Sequence, residues 1–232
     1  MYTGYGQGAL GSSYDPVEAR ARFISRTYNH LFGAIVAFAL IEFALFQTGL
    51  AFVIAKAMLG FSWLIVLGGF MLAGFLASRV AHTSKSLPAQ YAALAGYVVI
   101  ESLIFVPLLV MANAVAPGAI SSAGLVTILG FAALTGIALF TRKDFSFMRG
   151  IIMWGGIGAM LLLVGGIVFG FQLGMFFSVA MVVLAGAAIL YDTSNVVHHF
   201  PEDRYVGASL QLFSSVTLMF WYVLRIFTSS RD

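Results

Sequence analysis

Seven long apolar runs, joined by short polar links, constrain this chain more than any other feature. They cover roughly 26–48, 61–80, 89–112, 122–141, 150–170, 175–198 and 206–227. Each reaches the roughly 20 residues that a helix needs to cross a hydrocarbon core. Lipid offers no hydrogen bonds, so a spanning backbone must satisfy itself as a helix or a closed barrel. Barrel strands are about ten residues long and alternate in polarity, and these runs do neither. The sequence predicts an all-α polytopic membrane protein with seven transmembrane helices in one domain over 23–230. Composition agrees, with 61% hydrophobic and 9% charged residues against about 25% charged in soluble domains.

The links carry the expected breakers: "SKSLP" before the third run, "APGAISSAG" before the fourth, "FGFQLG" before the sixth and "FPEDRY" before the seventh. The stretch 49–59 reads as an extension of the first helix or as an interfacial segment. The polar, Gly/Ser-rich start, 1–22, reads as a mobile cytoplasmic tail. It lacks the basic start and apolar stretch of a signal peptide. Orientation follows from Lys/Arg placement. With the N-terminus inside, Arg20, Arg22, Arg26, Arg79, Lys85, Arg142, Lys143, Arg149 and Arg204 fall inside, and Lys56, Arg225 and Arg231 outside. That bias predicts the N-terminus in and the C-terminus out.

Several function classes drop away. There is no cysteine, hence no disulfide, thiolate zinc site or cysteine nucleophile. A net charge of +3, scattered along the chain, gives no case for nucleic acid. No metal-protease, nucleophile-elbow or phosphate-loop motif is present, so no enzyme and no resident cofactor are expected. A serine hydrolase would need Ser214 or Ser215 to meet His198, and nothing in the spacing favours it.

Charge inside a span is costly and usually functional. Glu42, Glu101, Asp192 and Arg225 are so placed. Asp192, Asn195 and His199 fall at i, i+3 and i+7, a polar stripe on an apolar helix. Arg79 ends the second span on the same predicted membrane face, so an Asp192–Arg79 pair is geometrically open to it. Asp192 then reads either as a structural tie or as a proton-sensitive latch that transiently holds a cation. Glu42 and Glu101 read as pore-lining or as packed, hydrogen-bonded acids. Arg225 is placed to snorkel outward. His30, with Asn29, reads as interfacial at the start of the first span. His198 and His199 diverge by about 100° on a helix and also read as interfacial rather than as a metal pair. Gly166, Gly170 and Gly174, four apart, predict a close-packing helix face, joined by Gly155, Gly156 and Gly158.

Two motifs carry a resemblance. "TRKDFSFM" before the fifth span and "AILYDTSNVVHH" ending the sixth, with "ASLQLFSSVTLMFWYVLRIF" as the last helix, resemble the Bax inhibitor family of membrane proteins over roughly 20–230. The nearest likeness is to its bacterial YccA-like branch. The resemblance implies six helices packed around a central seventh. It also implies a bacterial inner-membrane location and, for that branch, association with the FtsH protease as substrate and modulator. Members with the full pattern are pH-sensitive calcium leak channels, with one Asp in each of the last two helices and an Arg ending the second. Asp192 matches the first Asp and Arg79 the Arg, whereas Ser215 stands where the second Asp belongs. The expectation is a modulator of FtsH; the alternative is a calcium or proton leak gated by an Asp192–Arg79 latch, with calcium as transported ion.

Overall fold

The computed structural model describes residues 16–60, 63–84, 86–141 and 143–229. Lys85, Arg142 and Arg231 lie outside that range, as does the first part of the expected tail. The described residues are helical and contain no strand. The helices are α1 (Pro16–Gln47), α2 (Leu50–Leu59), α3 (Trp63–Thr83), α4 (Leu87–Val115), α5 (Ala119–Thr141), α6 (Met148–Phe169), α7 (Met175–His198) and α8 (Tyr205–Ser229). A short 3-10 turn, Glu202–Arg204, precedes α8.

Local chemistry sets the boundaries. Gly49 adopts φ 75° and separates α1 from α2, a left-handed position that costs glycine nothing. The stretch 49–59 is thus a helix of its own rather than a continuation of the first. Pro88 sits in the first turn of α4, where its missing N–H is no loss. Gly170, at φ 74°, caps α6. The link 170–174 is therefore not helical, and the expected face of Gly166, Gly170 and Gly174 does not form.

Among the described residues, six helices are long and apolar enough to cross a membrane: α1, α4, α5, α6, α7 and the segment ending in α8. The remaining long helix, α3, covers Trp63–Thr83, 21 residues that are apolar through most of their length. The most buried helix is α8, which packs against α1, α3, α4, α5 and α7. On α1 the buried residues Phe23, Thr27, Leu31, Ala34, Phe38 and Glu42 recur every three or four positions, the signature of one inward face. Phe38 meets Phe105 edge-on at 5.1 Å, and Phe105 stacks on Phe220 at 5.5 Å. Between lipid-embedded helices such packing, rather than water exclusion, supplies the cohesion, at about 0.5–1.5 kcal/mol per aromatic pair.

Two glycines let backbones approach. A Cβ on Gly207 of α8 would lie 2.6 Å from the Ala81 carbonyl oxygen of α3, and one on Gly155 of α6 would lie 2.7 Å from Leu184 of α7. The Gly155 contact is the close approach expected from "GGIGA", while Gly156 and Gly158 face open space. Otherwise α6 is the outlier: it leans on α7 and touches α3 at isolated points.

Of the stretch 1–22, residues 16–22 belong to α1, and residues 1–15 lie outside the described residues. Arg20 donates to the Phe200 carbonyl at 2.7 Å, and Phe23 stacks on Phe200 at 6.4 Å. The first turns of α1 are thereby fastened to the α7–α8 link.

Candidate functional site

The antiparallel pair α7 and α8 holds most of the polar chemistry. Asp192 is 4% exposed and projects onto α8. Gln211 Nε2 donates to its Oδ1 at 2.5 Å, and Ser215 Oγ donates to its Oδ2 at 2.5 Å. Gln211 and Ser215 are four residues apart, hence on one face of α8. One carboxylate is gripped from two successive turns. Hydrogen bonds to a charged acceptor are the stronger kind, about 1.5–3 kcal/mol each.

A second acid lies across α8. Glu101 of α4 sits one turn from Tyr97, whose hydroxyl donates to Ser214 Oγ at 3.0 Å and also interacts with Glu101. Ser214 and Ser215 are neighbours, so α8 serves Tyr97 with one hydroxyl and Asp192 with the next.

Both acids line one cavity of about 790 Å³, walled by α3, α4, α6, α7 and α8. Its lining is mostly apolar and rich in methionine and aromatic side chains, including Met71, Phe75, Met160, Met181 and Trp221. Arg225 also lines it. Its Nη2 donates to the Leu173 carbonyl at 2.9 Å, in the α6–α7 link, toward the side to which snorkelling is expected to carry it.

Other residues singled out in the sequence go elsewhere. Arg79 is exposed on α3 and makes no ion pair with Asp192. The physical reason is the face that Asp192 occupies: α7 presents it to α8, while α3 packs chiefly on α4 and α8. Glu42 is 7% exposed, away from the cavity, and neither carboxyl oxygen has a hydrogen-bond partner among the described residues. Asn195 is half-buried, and its carbonyl accepts from the His199 and Phe200 N–H groups, both at 2.8 Å. His199 is the C-cap of α7 with its side chain 49% exposed, so it is not on an inward stripe with Asp192. Its Nε2 lies 3.6 Å from Asp144 Oδ2 instead. Neither Ser214 nor Ser215 meets His198. His30 Nε2 lies 2.8 Å from Tyr91 Oη at the bundle end. Among the described residues no group of three His, Asp or Glu is arranged to hold a metal.

The two motifs that carried the resemblance meet here. Ser194 Oγ accepts from the Phe145 N–H at 3.0 Å, and Asp144 faces His199. Asp144 also accepts from the Ser146 N–H at 2.8 Å and from the Ser146 hydroxyl. Those bonds, the hydroxyl first, hold the Asp144 carboxyl below the usual carboxylate range, and His199 and His198 add to the effect. The α5–α6 loop is thus clipped to α7 at Ser194, beside Asp192, and at His199, two turns beyond it.

Gln211, Tyr97 and Ser214 are site residues that sequence reasoning missed. The signal was present for one of them: Gln211 and Ser215 form a polar i, i+4 pair on the otherwise apolar "ASLQLFSSV".

A helical membrane protein with a carboxylate clasp on its most buried helix, beside a largely apolar cavity, is the class these features define. The chain belongs to the Bax inhibitor family: the family model described as "Inhibitor of apoptosis-promoting Bax1" matches residues 20–232. It is 37% identical over 111 residues to an uncharacterized protein of Pseudomonas aeruginosa, covering 47% of this chain and 49% of that one. It is 32% identical over 108 residues, 46% of this chain and 49% of the relative, to the "Modulator of FtsH protease YccA" of Escherichia coli K12. A second E. coli relative with the same identity and coverage is named "Inner membrane protein YccA". The matched stretch spans about half the length of each of these relatives.

Proposed function

We propose that this protein is a non-enzymatic regulatory partner of the FtsH protease in the bacterial inner membrane. It crosses the membrane seven times, with α3 as the seventh span, α8 central, the N-terminus inside and the C-terminus outside. The likeness to the E. coli modulator of FtsH carries the reading. The polar stretch 1–15, ahead of the helix that starts at Pro16, supplies what a processive protease grips, since such enzymes start at exposed termini. The test is co-purification with FtsH, together with the lifetime of the protein in cells, for the full chain and for a chain lacking 1–15. The expected result is a longer lifetime and weaker capture of the shortened chain. If deletion alters neither, the tail mechanism fails.

A second reading has its own support, the position of Asp192 on the cavity wall. In it the cavity is a pH-sensitive path for calcium or protons. The gate is the contact of Asp192 with Ser215 and Gln211, Asp192 being the point where calcium would pause. Calcium flux into liposomes that is lost in Asp192→Asn supports it; no flux at any pH refutes it.

A further inference from the structure

Tyr97 occupies a position that neither reading uses. Its ring is buried, edge-on to Phe213 of α8 at 6.1 Å. On its other side is Gly74 of α3, where a Cβ would lie 3.5 Å from the ring. The ring is thus held in place. Its single hydroxyl stands between two groups: Ser214 Oγ of α8, 3.0 Å away, and the Glu101 carboxyl one turn along α4. A phenol has one proton to donate and otherwise accepts. The two contacts are therefore not independent.

The charge of Glu101 decides which way they run. An ionised carboxylate only accepts, so Tyr97 then donates to Glu101, and Ser214 donates to Tyr97. A protonated Glu101 donates to the phenolic oxygen instead. The Tyr97 proton then turns to Ser214 Oγ, and the Ser214 hydroxyl turns to its own helix, where serine can donate to the carbonyl four residues back. Each hydroxyl keeps its own proton. The one proton gained is on Glu101, and it comes from the cavity that Glu101 lines. The other titratable side chains on that lining are Tyr97 of α4, Tyr191 and Asp192 of α7, and Tyr222 and Arg225 of α8. Among the described residues α3 and α6 add none to it.

We propose that Glu101 is a proton-binding site on the cavity wall, and that its proton is read by α8 through reversal of the Glu101–Tyr97–Ser214 chain. The change arrives at the residue next to Ser215, which holds Asp192. The inference rests on the second reading for the cavity as the route by which protons arrive. It adds the group that takes them up and the contact that passes the change to α8.

The test is infrared difference spectroscopy of the full chain in nanodiscs, stepped from acidic to alkaline pH. It reads the carbonyl stretch of a protonated carboxyl and the phenolic C–O stretch, which differs between a donating and an accepting hydroxyl. The Tyr97 mode is identified by its loss in Tyr97→Phe, which keeps the buried ring. The expected result has three parts: a carboxyl band lost in Glu101→Gln, a Tyr97 mode that shifts with the same pH midpoint as that band, and loss of that shift in Glu101→Gln. Should the Gln variant misfold, isotope-labelled glutamate separates glutamate bands from that of Asp192, and the shared midpoint is read on the unaltered chain. A Tyr97 mode that stays constant with pH, or shifts at a midpoint no glutamate band shares, overturns the inference. So does a shift that persists in folded Glu101→Gln. Ion flux is not part of the readout. A chain that conducts nothing refutes the second reading alone, and a conducting chain whose Tyr97 mode ignores Glu101 refutes this inference alone.

Discussion

The clasp of Asp192 by Ser215 and Gln211 makes a quantitative prediction. Ser215→Ala deletes the donor to Oδ2 and leaves that buried oxygen without the bond seen at 2.5 Å. Asp192→Asn keeps the shape but removes the charge and sets an amide NH2 against one of the two donors. Either change alone should cost about 1.5–3 kcal/mol, the range for a hydrogen bond to a charged group. In the double variant the second change removes nothing further from this bond, so a coupling of about 1–2 kcal/mol should remain. For a chain of this size, about 2 kcal/mol corresponds to a Tm shift of roughly 4–8 °C. The assay is thermal unfolding of the purified protein and its three variants in one detergent. A strictly additive cycle, with a coupling below about 0.5 kcal/mol, would falsify the clasp: Asp192 would then draw its stability from elsewhere.

Gly207→Ala should force α8 away from α3, because its Cβ would lie 2.6 Å from a backbone oxygen that cannot swing aside. Overpacking of this kind costs about 1–3 kcal/mol, and a spin-label distance between the ends of the two helices should lengthen. Asp144→Ala should lower the hydrogen-exchange protection of the Phe145 and Ser146 amides at neutral pH. In the unaltered protein, Asp144 has a folded-state pKa below its unfolded value. Its contribution is therefore complete above the ordinary value of about 3.9 and is lost as pH falls through the lowered folded value. Protection that persists in the variant refutes the clip. Arg79→Gln should leave the α7–α8 distance and Tm within about 0.5 kcal/mol of the parent, as surface changes do. A larger effect would restore the Asp192–Arg79 latch.

The all-helical, membrane-spanning character was legible because a spanning run must be long, apolar and internally hydrogen-bonded, and each of those properties is written along one segment. The separate α2 was ambiguous because its boundary depends on the left-handed backbone of Gly49, whereas the flanking runs are equally apolar. Asp192 was visible as an acid in lipid, but its partner was not. Periodicity gives the face of α7 that holds Asp192 and is silent on which helix lies opposite. Arg79 was the cation nearest in topology, while Gln211 and Ser215, which donate to Asp192, are uncharged and on α8. For Arg225 a direction was legible but not an acceptor: the Leu173 carbonyl, in the short link after α6, is not near it along the chain. The glycine trio failed because Gly170 ends the helix on which the spacing argument relied.

The neutral character of the clasp bears on why Ser215 can stand where the resemblance leads one to expect a second acid. Placing Arg79 against Asp192 would desolvate two ions, and their attraction offsets that cost only in excellent geometry. Two neutral donors on α8 bind the carboxylate without burying the guanidinium. A second carboxyl at position 215 would instead set like charge against like charge, and one of the two would have to hold a proton. Serine removes that conflict, and Gln211 supplies the remaining bond from the preceding turn. The same helix presents Ser214 to Tyr97, and through it to Glu101. A change in the charge of either acid is thereby felt on α8 at adjacent residues. Whatever occupies the cavity, its effect on the bundle should run through α8, the helix on which α1, α3, α4, α5 and α7 all rest.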